Sequence, residues 1–395
     1  MKKKILFIID SLECNGAAKS AINLLNEINY SLFCVDLLIL NEQDKFFYHQ
    51  LPLNDINIIK TPEEIEMYYQ PLKKSFFYYL KNFQFKPLYY RILKIILSKI
   101  KKFDMSKIQC NWMQMLSYFP NIESDYDVSI GYNEIYSSYF CAYNTSAKNK
   151  ISWNHNDYNA MKRDVEIDKI FLKKINTVVC VSNDSLFNMK SNFECENINW
   201  KIIDNIISGK MIINFANSKE VDFDKSYINI TTVARLVKQK GIDIAVEACK
   251  ILLSHGYKIR WYVIGEGPEF ENIKNLIQLY NIENNFILLG KKTNPYVYMK
   301  KSSIYVQPSR YEAFCITVEE AKALKLPVVY TKVDACEDRI KNNFNGLLAD
   351  IDAKSIASKI EYIIDNPTEK KRYIDNLYKE NSKNKIIEEF YNILF

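Results

Sequence analysis

The stretch "YINITTVARLVKQKGIDIAVEACKILLSHGYKIRWYVIGEG", residues 227–267, decides the fold class. An apolar run of strand length comes first. A helix-period segment follows from Gly241, and a second apolar run leads into a glycine-rich turn. Strand, crossover helix and neighbouring strand make a unit of a parallel sheet covered on both faces. The pattern continues through "PEFENIKNLIQLYN", "NFILLG", "SIYVQPS", "VEEAKALKL", "PVVYT" and "NGLLAD". That is a complete doubly wound domain. Upstream, "KILFIID", "AAKSAINLLNEI", "CVDLLIL", "YDVSIGY", "KISWNH" and "TVVCVS" repeat the alternation. The expectation is an α/β chain of two Rossmann-like domains facing a cleft. The polar stretch at 214–226 suggests a boundary, with domains at 1–215 and 216–380. The apolar face of the tail, Ile386, Ile387, Phe390, Tyr391, Leu394 and Phe395, suggests that 381–395 docks as a helix on the first domain.

A chain of 395 residues, 48% hydrophobic and 25% charged, suits two ordinary globular domains. Nine scattered cysteines without a CxxC pair argue against a disulfide framework and a zinc site, and for a reducing cytoplasm. No stretch reaches the ~20 apolar residues of a membrane span. The start, "MKKKILFIID", reads as a buried first strand rather than a signal peptide. Only nine glycines are present, so each invites a backbone explanation. Charge is uneven: residues 71–108 carry ten Lys/Arg and one acid, within a chain of net charge +6. In "LYYRILKIILSKIKKF", Ile92, Ile96, Ile100 and Phe103 share one helical face, while Arg91, Lys94, Lys101 and Lys102 gather on another. This segment is expected either to lie on an anionic membrane surface or to pack on the first domain with its lysines in water.

Several loops place chemistry at strand ends. Gly16 stands where the first strand turns into a helix, whose N-terminus suits phosphate; an ordinary turn explains it as well. Arg235 and Lys240 follow a strand and precede Gly241 at a helix start. Two cations there would hold a diphosphate, or form a solvated basic loop. Gly265 and Gly267 would let backbone approach a ligand. Phe270 replaces the third glycine of a dinucleotide fingerprint, so a hydride-transfer reading is weak. In "PSRYEAFCITVEEAKALKLPVV", residues 308–329, Glu312 and Glu320 suit sugar or ribose hydroxyls, and the N–H groups of Ala313, Phe314, Cys315 and Ile316 suit phosphate. Plain helix-entrance acids are the alternative. His155, one of three histidines, stands at a strand end where it would face the cleft; a hydrogen-bonded structural histidine is the alternative. The pairs Asp125/Asp127, Asp222/Asp224 and Asp350/Asp352 match a DxD metal pattern, but chance explains them better.

Together, "ARLVKQKG", "IGEGPE", "FILLG", "PSRYEAFCITVEEAKALKLPVV" and "NGLLAD" resemble the retaining glycosyltransferases of family 4. The likeness is strong in the second half and looser in the first, through Gly16, "HND", "VCVSNDS" and "IIDNII". It implies the GT-B fold, with a final helix crossing back to the first domain. It also implies a nucleotide-sugar donor such as a UDP- or GDP-sugar, a glycan or lipid-linked acceptor, no cofactor and no metal. Arg235 and Lys240 would hold the diphosphate. Glu312 would bind the transferred sugar, Glu320 the ribose, Gly16 the phosphates, and His155 the sugar near the acceptor. Asn205 matches the family's asparagine before the interdomain segment. No nucleic-acid partner is implied. The implied role is a cytoplasmic transferase of capsule, exopolysaccharide or lipopolysaccharide synthesis, at the inner face of the plasma membrane if the basic segment docks there. A nucleotide-sugar epimerase and a non-catalytic GT-B partner subunit are the alternatives. The chain departs from the family at Asn15, Ala18, Ala313, Cys315 and Lys325, where the family usually has an acid at 18 and glycine at the others.

Overall fold

The computed structural model describes residues 2–99, 105–193, 198–219, 221–312, 314–334, 336–379 and 383–395. The chain divides into two compact units, Met1–Ile206 with Lys383–Phe395, and Ile207–Ser382.

In the first unit, β1 (Lys3–Ser11), β2 (Phe33–Asn41), β3 (Asn57–Ile58), β4 (Val128–Gly131), β5 (Asn149–Asn154), β6 (Thr177–Cys180) and β7 (Asn199–Ile202) form one parallel sheet. Its order is β3-β2-β1-β4-β5-β6-β7. The order reverses between β1 and β4, which pair from Ile5 against Val128 to Ile8 against Gly131. The helices α1 (Gly16–Leu25), α2 (Glu63–Tyr69), α3 (Leu72–Lys81) and α4 (Phe85–Lys99) follow in the chain. β1 is apolar on both faces, with Ile5 through Ile9 all buried, as a central strand covered on two sides requires. Leu6, Ile8, Leu38, Tyr139, Trp112 and Phe171 belong to one hydrophobic core of this unit.

The second unit is a six-stranded parallel sheet: β8 (Ile228–Val233), β9 (Ile259–Ile264), β10 (Phe286–Gly290), β11 (Ile304–Gln307), β12 (Val328–Thr331) and β13 (Gly346–Ala349). The order is β10-β9-β8-β11-β12-β13. Here the reversal lies between β8 and β11, paired through Ile230 and Ile304. Trp261, Ile230, Val306, Val329 and Val246 lie in its core.

The units part at 206/207, earlier than the polar stretch at 214–226. A helix, Gly209–Asn217, runs into that stretch and belongs to the second unit. Ser208 caps it by accepting from Met211 N–H, Met211 and Ile212 bury its inner face, and Asn294 donates to the Phe215 carbonyl. Only the last turn of this helix lies inside the polar stretch, so the composition shift falls after the division between the units.

The basic segment also differs from expectation. Arg91 is buried and donates to the carbonyl of Gln70, at the C-terminal end of α2. Lys94 sits 3.7 Å over the Tyr68 ring and 4.2 Å over Tyr69. Burial, with Arg91 nearby, holds the Lys94 ammonium well below its usual range. A helix C-terminus and two aromatic faces thus draw these cations inward, while Ile96 faces solvent. Ile100, Phe103, Lys101 and Lys102 lie outside the described residues.

The C-terminal helix Lys383–Leu394 packs within the first unit. Asn149 donates to the Ile393 carbonyl, Lys3 to that of Leu394, and Tyr391 accepts from Asn29 N–H. Phe390 is fully buried, with its ring 6.1 Å from that of Trp153. Phe390→Ala should therefore cost roughly 3–5 kcal/mol. Thermal melting and limited proteolysis check this. An unchanged melting temperature, or a tail that stays protease-resistant, would contradict the packing.

Candidate functional site

Open parallel sheets bind ligands where strand order reverses, beyond the carboxyl ends of the strands. In the second unit the loops leaving β8 and β11 meet there. Arg310 N–H donates to the Gln239 carbonyl at 2.7 Å, and the Gln239 side chain donates to the Tyr311 carbonyl at 3.0 Å. Arg310 grips Asp243 with two hydrogen bonds of 2.8 and 2.6 Å and also reaches the Lys238 carbonyl. Gly241 lies between, with φ of +62°, and a Cβ there would stand 1.9 Å from the Pro308 carbonyl oxygen. Only glycine fits this crossing.

The interlock brings Lys240 to Glu312. Lys240 Nζ lies 2.7 Å from both carboxylate oxygens. Oε1 also accepts from Ser309 Oγ at 2.6 Å and from Gln307 Nε2 at 3.4 Å. Gln307 is in turn held by the Tyr305 hydroxyl at 2.7 Å and donates to Ser309. The Glu312 side chain is 5% exposed and that of Lys240 22%. A nearly buried carboxylate with this many donors is fixed in orientation. Ser309, Gln307 and Tyr305 carry no motif spacing; only their places at the end of β11 bring them here.

Arg235 differs. It is exposed, and among the described residues its side chain has no hydrogen-bond or ion-pair partner. Its backbone is nonetheless fixed. Ala234 N–H donates to the Ile264 carbonyl and Leu236 N–H to that of Glu266. A Cβ at Gly265 would meet the Ala234 carbonyl oxygen at 1.9 Å, and one at Gly267 the Leu236 carbonyl oxygen at 2.3 Å. These glycines let two loops of backbone pack together beneath Arg235.

Glu320 is buried in the helix Ile316–Ala323, where the Tyr296 hydroxyl donates to it at 2.6 Å. Burial, then the Glu320 charge, keeps that phenol protonated. Phe314 is buried, with the Arg339 guanidinium 3.7 Å over its ring. Cys315 precedes the helix with φ of +62°, and Lys325 follows it with φ of +60°. Both positions keep a left-handed backbone although neither is glycine. Burial pushes the Cys315 thiol up to about 12, so it is not a nucleophile near neutrality. Ala313 lies outside the described residues.

In the first unit, Gly16 is exposed at the start of α1, and the Asn15 side chain accepts from Ala18 N–H at 2.8 Å. Further along α1, buried Ser20 donates to Asn205 Oδ1 at 2.5 Å and shares a hydrogen bond with the Tyr132 hydroxyl. His155 Nε2 lies 2.8 Å from the Tyr132 carbonyl, which can only accept, so Nε2 carries a proton. Burial lowers the His155 pKa, against the Glu134 charge, the Tyr132 carbonyl and Asn205. Glu134, buried after β4, accepts from the backbone N–H groups of His155 and Asn156. His155, Asn205 and the first turns of α1 therefore share one network. Ser20, Tyr132 and Glu134, which no motif marked, bind it together.

Four of the six DxD acids have local employment. Asp127 accepts from Lys4 N–H, Asp224 from Ser226 N–H, Asp350 pairs with Lys332, and Asp352 caps a helix at Ser355 N–H.

Residues 214–380 match the family model for glycosyl transferases group 1. The chain is 28% identical over 174 residues to the capsular polysaccharide biosynthesis glycosyltransferase CapM of Staphylococcus aureus, covering 39% of this chain and 46% of that protein. It is 24% identical over 246 residues to the poly(ribitol-phosphate) alpha-N-acetylglucosaminyltransferase of S. aureus strain COL, covering 61% and 48%. The chain thus spans about half the length of these relatives. The crystal structure of a mutant of S. aureus TarM with fondaparinux, alpha-GlcNAc-glycerol and UDP aligns over 99% of both chains, with TM-score 0.66 and 16% identity. The fold is GT-B: two Rossmann-like domains with parallel sheets of seven and six strands.

Asp10, near the end of β1, accepts from Ser137 N–H at 2.8 Å. Burial pushes its carboxyl up to about 7, against the Ser137 hydrogen bonds. A carboxyl raised in the folded state stabilises the fold at low pH, and this contribution fades between pH ~4 and pH ~7. Asp10→Asn removes the ionisation and should gain roughly 1–2 kcal/mol at pH 8, discounted from ~1.4 kcal/mol per pKa unit for partial exposure. His155 does not interfere at pH 8, where it is neutral folded and unfolded. Melting curves at pH 5 and pH 8 check this, and equal effects at both would contradict it.

Proposed function

We propose that this chain is a retaining glycosyltransferase of the family-4 type, acting in the synthesis of a bacterial surface polysaccharide. It moves a sugar from a nucleoside-diphosphate sugar to a hydroxyl of a glycan or glycolipid. The observation that carries this reading is the preset pair Lys240–Glu312 beside exposed Arg235, at the β8/β11 reversal. The group-1 match over 214–380 and the UDP in the TarM structure support it.

In this reading the donor diphosphate lies against Arg235 and Lys240. The bond between the anomeric carbon and the diphosphate oxygen breaks, and negative charge grows on the leaving group. Lys240, preset by Glu312, and Arg235, carried on a clamped backbone, stabilise that charge. Glu312, aligned by Ser309 and Gln307, accepts from hydroxyls of the departing sugar. The acceptor oxygen bonds the anomeric carbon on the same face and gives its proton to a phosphate oxygen. Glu320, steadied by Tyr296, accepts from the ribose. Within the first unit the His155 imidazole is kept neutral by burial and held by Tyr132 and Asn205. The cations fill the role that a divalent metal would otherwise serve, so the reaction runs without one.

A panel of UDP-, GDP- and ADP-sugars tests this by release of the nucleoside diphosphate. The wild type should turn over at least one donor, with turnover largely unchanged by EDTA. Arg235→Ala and Lys240→Ala should each lower turnover on the order of 10²-fold. Arg235→Ala should leave the melting temperature unchanged, because no described residue pairs with that side chain. Lys240→Ala should lower it, because Glu312 loses its counter-charge. A strict metal requirement, or full turnover in either variant, would refute the assignment.

A further inference from the structure

The helices α3 and α4 form a hairpin whose outer surface is unusually apolar. Phe77 is 61% exposed, Phe83 80%, Phe85 61% and Tyr89 60%, with Phe76, Leu80 and Ile96 also exposed. On α3 the exposed positions Lys73, Phe76, Phe77 and Leu80 follow helical spacing and form one stripe. Ser75 and Tyr79, on the opposite side, are buried, and Ser75 donates to the Met67 carbonyl. On α4, Phe85, Tyr89 and Ile96 continue the outward stripe, while Leu88 and Arg91 are buried. Met67, Tyr79 and Leu88 form a small separate core that fixes the hairpin. The apolar face is therefore held outward by a packed inner side. The turn carries Phe83 itself, with φ of +55°, and its ring lies 6.5 Å from that of Phe85. A bulky aromatic in a left-handed turn is not what turn chemistry alone favours.

Charge identifies the occupant. No acid occurs from 71 to 99. Lys73, Lys81 and Lys86 are exposed beside the aromatic residues. Lys74 is exposed too, but is engaged by Glu66 at 3.5 Å. Aromatic rings and lysines on one helical surface suit the boundary between headgroups and acyl chains, where rings enter and ammonium groups meet anionic headgroups. No helix among the described residues is long and apolar enough to cross a membrane, so contact through this hairpin would be peripheral.

We propose that the α3–α4 hairpin is a docking surface for an anionic lipid bilayer, inserting Phe77, Phe83, Phe85 and Tyr89 while Lys73, Lys81 and Lys86 bind headgroups. The surface differs from the face expected from sequence, since Arg91 and Lys94 turn inward. It would bring the protein to a lipid-linked acceptor, but binding itself does not rest on the transferase reading and is measured without donor.

Flotation of the full chain tests it, with vesicles of phosphatidylcholine alone and of phosphatidylcholine mixed with phosphatidylglycerol. The wild type should float only with the mixed vesicles, and high salt should weaken binding. One variant combines Phe77→Ser, Phe83→Asn and Phe85→Ser; another combines Lys73→Glu, Lys81→Glu and Lys86→Glu. All six positions are exposed, so both should melt like the wild type, and each should lower the vesicle-bound fraction about tenfold or more. A wild type that does not float, or variants that bind as it does, would overturn the proposal. So would equal binding to neutral vesicles. If sedimentation shows a wild-type dimer that the phenylalanine variant makes monomeric, with vesicle binding unchanged, the face belongs to a second copy and the lipid assignment falls.

Discussion

The site in the second unit depends on two loops that hold each other. The loop after β8 and the loop after β11 are joined by backbone hydrogen bonds, by the Arg310–Asp243 pair and by the close crossing at Gly241. That crossing sets Lys240 against Glu312. Either residue placed a turn away would be an ordinary surface charge worth little. Here the carboxylate is nearly buried and satisfied before any ligand arrives. In the proposed reaction, a pair preset in this way would need little reorganisation as charge develops. In the same loop after β8, Gly265 and Gly267 allow the backbone on either side of exposed Arg235 to be clamped.

Much of this was legible in the residues. Strand and helix periods are strong signals in a parallel sheet, because its strands are apolar throughout and its helices are amphipathic. Glu312, Lys240 and Gly241 stood out through the order of motifs that resembles family 4; spacing alone left a solvated basic loop and a helix-entrance acid open, and the structure brings the three together. Ser309, Gln307 and Tyr296 did not stand out. They act through contacts set by tertiary packing, and their residue types are common anywhere. The same holds for Ser20, Tyr132 and Glu134 around His155. The inward turn of Arg91 and Lys94 also escaped the pattern, since periodicity separates two faces without saying which one is covered. Two neighbouring tyrosines and a helix end decided that.

The scarcity of glycine has a physical resolution at two of the positions where the chain departs from family 4. Cys315 and Lys325 occupy the left-handed conformation that glycine adopts without cost. The helix Ile316–Ala323 is thus entered and left as a glycine-bearing chain would do it, at a modest expense in strain. Cys315 adds a buried thiol at the helix entrance. Lys325 recovers some stability by donating to the Leu377 carbonyl at 2.7 Å.

The central claim is that Lys240 and Glu312 work as one device. A double-mutant cycle on donor turnover measures this directly, using Lys240→Ala, Glu312→Gln and the combination. Shared function predicts strong non-additivity, with the double variant little worse than the poorer single one and a coupling energy above ~1 kcal/mol. Effects that simply add, within ~0.5 kcal/mol, would contradict it.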